Sequence, residues 1–186
     1  MSKTALVTGG GTGIGFGIAA KLMEANAQVT IAGRREDVLE EAAERLEASI
    51  SSSGNIKTVC CDVTDVMAVK NAVEFAANDN GALDIAVANA GIGAGGPFLS
   101  MTDETLRSVL EVNVIGAFNT IQASAETMRS SGGSIIAISS IAGALGGRFR
   151  AAYASSKAAL DMLVRSAADE LGGFGIRINS IRPGVV

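Results

Sequence analysis

A tyrosine and a lysine one helical turn apart, Tyr153 and Lys157, are the residues of this sequence best suited to acid–base chemistry. Tyr153 is the only tyrosine in the chain. Side chains at positions i and i+4 of a helix are neighbours, so the lysine ammonium would favour the ionised phenol. An unperturbed tyrosine titrates near pH ~10, and such a neighbour makes it a better proton donor and acceptor at neutral pH. The same spacing also occurs on ordinary helix surfaces, so the remaining motifs decide its meaning.

Composition limits the chemistry that the chain can carry. Its 186 residues, 48% hydrophobic and 18% charged, indicate one folded domain over residues 1–186 rather than a disordered chain. The chain contains no histidine, which is the commonest general base and metal ligand. Serine–histidine hydrolysis and histidine-ligated zinc are therefore excluded, and no metal site is expected. Proton transfer must fall to Tyr, Lys, Asp or Glu.

Charge and hydropathy argue against two classes of partner. The net charge is −4 and the basic residues form no block, so nucleic acid is not expected. No apolar run approaches the ~18 residues of a membrane span. Cys60 and Cys61 are adjacent, which suits neither an ordinary disulfide nor a zinc site, so we expect two small buried side chains. A cytoplasmic location, where thiols stay reduced, is then expected.

Short apolar runs rich in β-branched residues alternate with longer segments of helical pattern. The runs predict strands at 4–8, 27–32, 56–61, 83–89, 133–140 and 176–181. The longer segments predict helices near 14–25, 36–50, 65–78, 103–130 and 155–171. Helix caps are expected at Thr102 and at either Thr64 or Asp65. Strands joined by helix-length connections pair in parallel, so we predict an α/β fold with helices on both faces of an open sheet.

A glycine-rich turn follows the first predicted strand, in VTGGGTGIGFGIAAKL at residues 7–22. In such a turn, main-chain N–H groups and the positive end of a helix approach a phosphate closely, which larger side chains would obstruct. The turn lacks the Gly-Lys-Ser/Thr of a Walker loop and does not match G-x-G-x-x-G. From Thr8 to Gly15 it reads T-G-x-x-x-G-I-G. Its position at the first strand–helix junction predicts binding of a dinucleotide pyrophosphate.

Further motifs follow this turn in order. They are CDV with Asp62 and Val63, NAG at 89–91, VNVIGAF with Asn113, ISSIAG with Ser139 and Ser140, and IRPG at 181–184. Together with T-G-x-x-x-G-I-G and Tyr-x-x-x-Lys, they resemble the short-chain dehydrogenase/reductase family over essentially the whole chain. The resemblance implies a Rossmann-type, doubly wound parallel sheet with strand order 3-2-1-4-5-6.

The resemblance also implies a role for each matched residue. Tyr153 would be the proton donor and acceptor, and Lys157 would bind the nicotinamide ribose. Ser140, selected over Ser139 because it lies 13 residues before Tyr153, would hold the substrate oxygen. Asn113 would support a water-linked proton relay, although an asparagine within a helix can also satisfy a backbone kink. The expected cofactor-binding residues are Gly9, Thr12, Gly13, Ile14, Gly15, Gly33, Arg34, Arg35, Asp62, Val63, Asn89, Ala90, Gly91, Tyr153, Lys157, Pro183 and Gly184.

The end of the second predicted strand bears on the choice between NADP and NAD. Enzymes of this fold that prefer NAD tend to place an acidic residue there, which accepts from the ribose 2′-OH. This chain has Gly33, followed by Arg34 and Arg35, which could pair with a 2′-phosphate. The two arginines could equally be solvated surface residues at the start of a helix. We expect NADP, with NAD possible.

The expected function is an NADP-dependent interconversion of a secondary alcohol and a ketone. An acyl-chain 3-oxo or enoyl reductase is an alternative, and so is a cofactor-binding protein without turnover. The expected substrate is a small molecule, and Arg148 and Arg150 are compatible either with an acidic or phosphorylated ligand or with plain surface charge.

Two expectations concern assembly and the end of the chain. The helices predicted at 103–130 and 155–171 pair with their copies in the family, so a homodimer or homotetramer is expected. Chains of the family normally continue beyond the Pro-Gly turn into a substrate-covering segment and a seventh strand. A protein ending at Val186 would then leave Ile176, Ile178 and Ile181 uncovered at a sheet edge. It would be expected to bind adenosine, turn over poorly and aggregate.

Overall fold

A computed structural model describes residues 2–50, 55–77 and 81–184. The strands are β1 (Thr4–Thr8), β2 (Gln28–Gly33), β3 (Ile56–Cys60), β4 (Ile85–Ala88), β5 (Gly133–Ile138) and β6 (Ile176–Ile181). The α-helices are α1 (Gly13–Glu24), α2 (Glu36–Ser49), α3 (Val66–Ala76), α4 (Asp103–Leu110), α5 (Ala117–Met128), α6 (Ala142–Leu145) and α7 (Ala151–Leu171). A π-helical segment, Glu111–Gly116, joins α4 to α5, and short 3₁₀ turns lie at Phe98–Ser100 and Gly172–Phe174.

The strands form one parallel sheet in the order β3-β2-β1-β4-β5-β6. The predicted strand order is therefore confirmed. The order reverses direction between β1 and β4, whose pairing aligns Leu6 with Ala86. In open sheets of this kind, ligands bind beyond the carboxyl ends of the strands at that reversal.

The two faces of the sheet carry separate hydrophobic cores. Alternate side chains of a strand point to opposite faces. Thus Leu6 belongs to the core that packs under α3, α5 and α7, whereas Ala5 and Val7 belong to the core under α1 and α2. Burial on both faces explains why β1 is apolar or threonine throughout and is buried along its full length.

Some boundaries differ from those predicted. Helix α7 begins at Ala151 instead of 155, so Tyr153 lies inside its first turn. Strand β5 ends at Ile138, which leaves Ser140 in the loop between β5 and α6. The helix predicted over 103–130 is interrupted by the π-helical segment, where Gly116 lets the helix approach Val63: a Cβ at Gly116 would lie 2.5 Å from Val63 Cγ2.

Local hydrogen bonds settle the expected caps. Thr102 Oγ1 accepts from Thr105 N at 3.2 Å and caps α4, as predicted. Asp65, and not Thr64, caps α3 by accepting from Met67 N at 2.8 Å and Ala68 N at 3.1 Å. Thr64 instead donates its N–H and its hydroxyl to Asp62 Oδ1.

Two expectations about burial are wrong in part. Cys61 is buried, but Cys60 is exposed, because it ends the edge strand β3 and no further strand covers its side. In β6, Ile176 and Ile178 are buried beside Leu160 and Val164 of α7, so among the three isoleucines only Ile181 is exposed. Among the described residues, no helix combines the length and the apolar character that crossing a membrane requires, and no cluster of His, Cys, Asp and Glu is arranged to hold a metal.

Candidate active site

The turn after β1 passes so close to the loop after β4 that only glycine fits at key positions. Gly9 has φ +65°, and a Cβ there would lie 2.9 Å from Asn89 Nδ2. A Cβ on Gly15, in the first turn of α1, would collide with the Gly9 carbonyl oxygen. Gly9 N donates to Ala32 O at 2.7 Å, which ties the turn to β2. Helix α1 therefore begins directly against the glycine turn.

Asn89 braces this turn from the neighbouring strand. Its side-chain Nδ2 donates to Thr8 O at 2.9 Å and to Gly9 O at 3.1 Å. Thr8 Oγ1 in return accepts from Asn89 N at 3.1 Å and from Ala90 N at 3.2 Å, and donates to Val87 O. The NAG motif thus fixes the glycine turn to the centre of the sheet.

A hollow that we call the glycine pocket lies beyond the ends of β1, β2 and β3. Most of the predicted cofactor residues line it: Gly9, Thr12, Gly33, Arg34, Arg35, Asp62, Val63, Ala90 and Gly91. Thr12 precedes α1 and its side chain makes no capping hydrogen bond. The Asp62 pKa lies below its ordinary value, first because Thr64 N donates to its carboxylate and also because the Arg34 charge is near.

A second hollow, the tyrosine cleft, adjoins the glycine pocket, and Gly91 and Ile92 line both. It contains the predicted residues Ile14, Asn89, Gly91, Ser140, Tyr153, Lys157, Pro183 and Gly184. Strand topology brings these residues together, because the loops after β4, β5 and β6 all follow the carboxyl ends of parallel strands, beside the first turns of α7. Residues far apart in the sequence are thereby brought to one cleft.

Lys157 is held inside the protein with its ammonium directed at the cleft. The residue is 5% exposed, and Nζ donates to Ile138 O at 2.7 Å. Nζ also lies 5.8 Å from the centre of the Tyr153 ring. Burial lowers the pKa of this lysine to about 8, with the negative charge of Asp161 acting in the opposite direction. A positive charge is thus fixed close to the phenol.

The two adjacent serines after β5 have different surroundings. Ser140 Oγ accepts from Ala142 N at 3.2 Å, which orients the hydroxyl at the start of α6. Ser139 Oγ donates to Lys157 O at 3.2 Å and so joins the loop to α7. Both line the cleft, and the Ser140 hydroxyl proton has no acceptor in the part of the chain that the structure describes.

Asn113 lies behind the cleft and does not line it. It is fully buried in the π-helical segment, where Oδ1 accepts from Ile92 N at 2.8 Å and Nδ2 donates to Ile92 O at 2.9 Å. Nδ2 also donates to Ser156 Oγ at 3.0 Å, and Ser156 Oγ donates to Tyr153 O at 2.7 Å. Asn113 therefore links the loop after β4 to the main chain of Tyr153.

Gly13 and Gly15 likewise do not line either hollow. Gly15 serves the packing of α1 against the glycine turn, and Gly13 adopts φ +53° at the helix start. Sequence reasoning missed Val38, Leu39, Ile92 and Ser156. The apolar periodicity of α2 could have indicated Leu39, whose side chain packs below Gly33, but nothing local indicates the bond between Asn113 and Ser156.

The comparisons with known proteins agree with this geometry. Residues 3–186 match the family model described as short chain dehydrogenase. L-rhamnose-1-dehydrogenase of Scheffersomyces stipitis is 36% identical over an alignment of 187 residues, and the match covers 99% of this chain and 72% of that protein. The 3-oxoacyl-(acyl-carrier-protein) reductase FabG of Staphylococcus aureus is 36% identical over 189 residues, covering 100% of this chain and 75% of that protein.

Solved structures show the same fold with both nicotinamide cofactors. NAD⁺-bound xylitol dehydrogenase has a TM-score of 0.91 at 34% identity and covers 98% of this chain and 70% of its own. An alcohol dehydrogenase from Thermococcus sibiricus, in complex with 5-hydroxy-NADP, has a TM-score of 0.91 at 27% identity and covers 100% of this chain and 77% of its own. The glycine turn, the braced NAG loop and the tyrosine–lysine pair lie together beyond the carboxyl ends of the strands. By this geometry and these matches, the chain belongs to the short-chain dehydrogenase/reductase family of NAD(P)-dependent oxidoreductases.

Proposed function

We propose that this protein interconverts a secondary alcohol and a ketone, with Tyr153 as the proton donor and acceptor and NADP as the preferred cofactor. The observation that carries the proposal is the buried Lys157 ammonium, 2.7 Å from Ile138 O and beside the Tyr153 ring, in the cleft that also contains Ser140. We further propose that residues 1–186 act as one dinucleotide-binding catalytic domain.

The residues of the glycine pocket fit a dinucleotide. Cβ atoms at Gly9 or Gly15 would fill or distort the turn, and the first turn of α1 has no side-chain cap to occupy its N–H groups. We therefore assign the pyrophosphate to Gly9, Thr12 and Ile14, and the adenine to Asp62 and Val63. When bound, the nicotinamide supplies or accepts the hydride.

The side chains of the cleft supply the proton chemistry. In the direction of reduction, Tyr153 gives its phenolic proton to the substrate oxygen, and in the direction of oxidation it takes that proton back. Ser140 Oγ donates to the same oxygen and stabilises the negative charge that develops there. The Lys157 ammonium stabilises the phenolate that remains. Lys157 and the Pro183–Gly184 turn also orient the nicotinamide end of the cofactor.

Asn113 has a positioning role in this proposal. Both of its amide atoms bind the Ile92 main chain, and its Nδ2 reaches Ser156, which in turn holds the Tyr153 carbonyl. Loss of this side chain would loosen the wall of the cleft and the first turn of α7 together. The water-linked proton relay implied by the family resemblance remains part of the proposal, with Asn113 supporting it.

Arg34 and Arg35 support NADP over NAD. Both line the glycine pocket at the end of β2, and the position that precedes them is Gly33, which has no carboxylate to accept from a ribose 2′-OH. A guanidinium pairs with a phosphate through charge-assisted hydrogen bonds. Relatives with either cofactor share this fold, so the arginines are the feature of this chain that favours NADP.

Two outer faces of α5 and α7 support assembly into a homodimer or homotetramer. Phe118 and Met162 are exposed on these helices, Phe174 is exposed just after α7, and a groove with Leu163 and Ala167 runs between them. An exposed apolar face of this kind suits an isologous contact. Light scattering at micromolar concentration checks this expectation, and a clean monomer mass would contradict it.

The free thiols of Cys60 and Cys61 are in keeping with our proposal of a cytoplasmic protein.

A turnover assay tests the proposed function. The protein is mixed with NADPH or NADH and a panel of ketones, 3-oxoacyl thioesters and enoyl thioesters, and the loss of the reduced nicotinamide is followed by absorbance. We expect NADPH consumption with at least one simple ketone. Preference for a 3-oxoacyl thioester would favour the alternative suggested by the similarity to FabG. Tight NADPH binding without turnover of any substrate would instead indicate a cofactor-binding protein.

A further inference from the structure

Asp161 is a buried charge that the proposed mechanism leaves without a role. It lies on α7 one turn beyond Lys157 and two turns beyond Tyr153, and it is 5% exposed. Its Oδ2 accepts from Arg182 Nε at 2.7 Å, whereas Oδ1 has no hydrogen-bond partner among the described residues. A buried carboxylate with one unpaired oxygen destabilises a fold relative to an apolar residue of similar size. Stability alone therefore does not account for it.

Arg182 stands at a junction between three elements of the cleft. It follows β6 directly and precedes the Pro183–Gly184 turn. The main chain on either side of it is bonded to the serine loop, because Ser139 N donates to Ile181 O at 2.7 Å and Ile141 N donates to Pro183 O at 3.0 Å. Its side chain extends instead to α7. The turn is thus tied to the serine loop by main chain and to the catalytic helix by one ion pair.

The charge of Asp161 also acts on Lys157, the lysine of the cleft. Asp161 and Lys157 occupy positions i+4 and i of α7, so their side chains lie along the same face of the helix. The Asp161 charge opposes the lowering of the Lys157 pKa by burial. Of the pair, the Asp161 side chain is 7% exposed and the Arg182 side chain 39% exposed, so water screens the contact from one side only.

We propose that Asp161 and Arg182 form a positioning pair that joins the Pro183–Gly184 turn to the Tyr153–Lys157 helix, and that the pair sets affinity for the nicotinamide half of the dinucleotide. This inference rests on the proposed function. The adenosine half is assigned to the glycine pocket, beyond the ends of β1, β2 and β3, and its binding does not depend on the pair. The pair is therefore a determinant of one half of the ligand only.

The test compares whole and partial ligands on full-chain variants. Isothermal titration calorimetry measures the affinity for NADPH, or NADH if the parent prefers it, and for adenosine 2′,5′-bisphosphate or adenosine diphosphate, which lack the nicotinamide. Arg182→Met keeps the aliphatic stem and removes the guanidinium. Arg177→Met is the matched control, because it removes an exposed arginine from the other end of the same strand. We expect Arg182→Met to weaken the dinucleotide about three- to tenfold, and the adenosine fragment less than about twofold.

The double variant Asp161→Asn/Arg182→Met separates positioning from stability. Arg182→Met alone leaves a buried carboxylate unpaired and lowers stability, whereas the double variant removes that charge and recovers stability. We expect the selective loss of dinucleotide affinity to persist in the double variant, since the link to the turn is still missing. Recovery of dinucleotide affinity together with stability, or an equal loss for both ligands, or no loss in Arg182→Met, would each overturn the inference while leaving the proposed function intact. Failure of the parent to bind either dinucleotide would contradict both.

Discussion

The glycine pocket and the tyrosine cleft lie side by side beyond the carboxyl ends of the strands. The glycine turn of the first is shaped mainly by main-chain atoms, whereas the second is shaped mainly by side chains. Around Gly9 and Gly15, the shape of the pocket depends on how closely backbones approach, and a single added carbon would collide with main-chain atoms or with the Asn89 side chain that braces the turn. In the cleft, Lys157 is a buried polar group, and behind the cleft Asn113 and Ser156 are two more whose hydrogen bonds support its wall. We therefore expect the pocket to be sensitive to volume and the cleft to be sensitive to chemistry.

The strongest test of this contrast removes one oxygen atom from the cleft. Tyr153→Phe keeps the ring and removes the proton donor, so we expect turnover to fall by about 10²- to 10⁴-fold, the usual contribution of a general acid. Affinity for NADPH should stay within about threefold, because Tyr153 is assigned to proton transfer and a bound nucleotide retains its pocket contacts.

Lys157→Ala serves as the comparison for that variant. It should reduce both turnover and NADPH affinity, since Lys157 is assigned to the ribose as well as to the phenolate. Steady-state kinetics and fluorescence titration measure the two properties. Substantial turnover by Tyr153→Phe would contradict the assignment of the proton donor and would erase the contrast between pocket and cleft.

A second test changes side chains in the pocket without changing its main chain. Gly33→Asp combined with neutral residues at Arg34 and Arg35 should move the preference from NADP toward NAD. Each charge-assisted hydrogen bond to a phosphate contributes roughly 1.5–3 kcal/mol, so the ratio of the two affinities should change by about 10- to 150-fold. Titration of parent and variant with both cofactors measures this ratio. Equal affinity of the parent for NAD and NADP would mean that the arginines are surface residues.

A third test uses the titration of the buried lysine in the unliganded protein. Burial lowers the Lys157 pKa from 10.5 to about 8, so the unfolded chain binds this proton more tightly than the folded chain. The folded state therefore gains stability as pH rises, by about 2 kcal/mol between about pH 8 and pH 10 from this group. Denaturant unfolding at several pH values measures the gain. In Lys157→Met this contribution should vanish, and an identical pH dependence in the two proteins would contradict the charged burial of the lysine.

The smallest expected effects compare two glycines of α1. Gly15→Ala forces a Cβ against the Gly9 carbonyl and should cost about 1–3 kcal/mol of stability, as overpacking does, with a parallel loss of dinucleotide affinity. Gly17→Ala is the matched control, because a Cβ there meets nothing within 4 Å. It should instead stabilise the helix by about 0.4–1 kcal/mol. Similar behaviour of the two variants in thermal unfolding would show that space around Gly15 is not limiting.

The same contrast explains which features could be predicted from the sequence. A glycine required by a close approach is visible as a glycine, so the turn from Thr8 to Gly15 and its place after β1 were predictable. Alternation of short strands and helices likewise predicted the parallel sheet, and the resemblance to a family supplied its strand order. The spacing of Tyr153 and Lys157 indicated a possible pair, and the resemblance to the family supported that pair and added Ser140 through its distance from Tyr153.

Partners distant in the sequence were not predictable in this way. Asn113 was predicted as a site residue from the resemblance, but its bonds to Ile92 and Ser156 join it to residues 21 and 43 positions away. The ion pair of Asp161 with Arg182 spans 21 positions and has no local pattern. The exposure of Cys60 depends on β3 being the sheet edge, a property of the strand order rather than of the cysteines. Each of these outcomes follows from tertiary packing.

The π-helical segment between α4 and α5 places a constraint on how the gene can change. A π turn holds more residues than an α turn, so deleting one residue from Glu111–Gly116 would allow a continuous α-helix with regular hydrogen bonds. Because the wide turn absorbs the extra residue, the helix beyond the deletion would keep its rotation about the axis, and Ile121, Ala125 and Met128 would still face the core. The turn itself would tighten, and Asn113 would lose the position from which both of its amide atoms reach the Ile92 main chain. We therefore expect a gene shortened by one codon here to encode a chain that still folds but whose cleft wall is displaced.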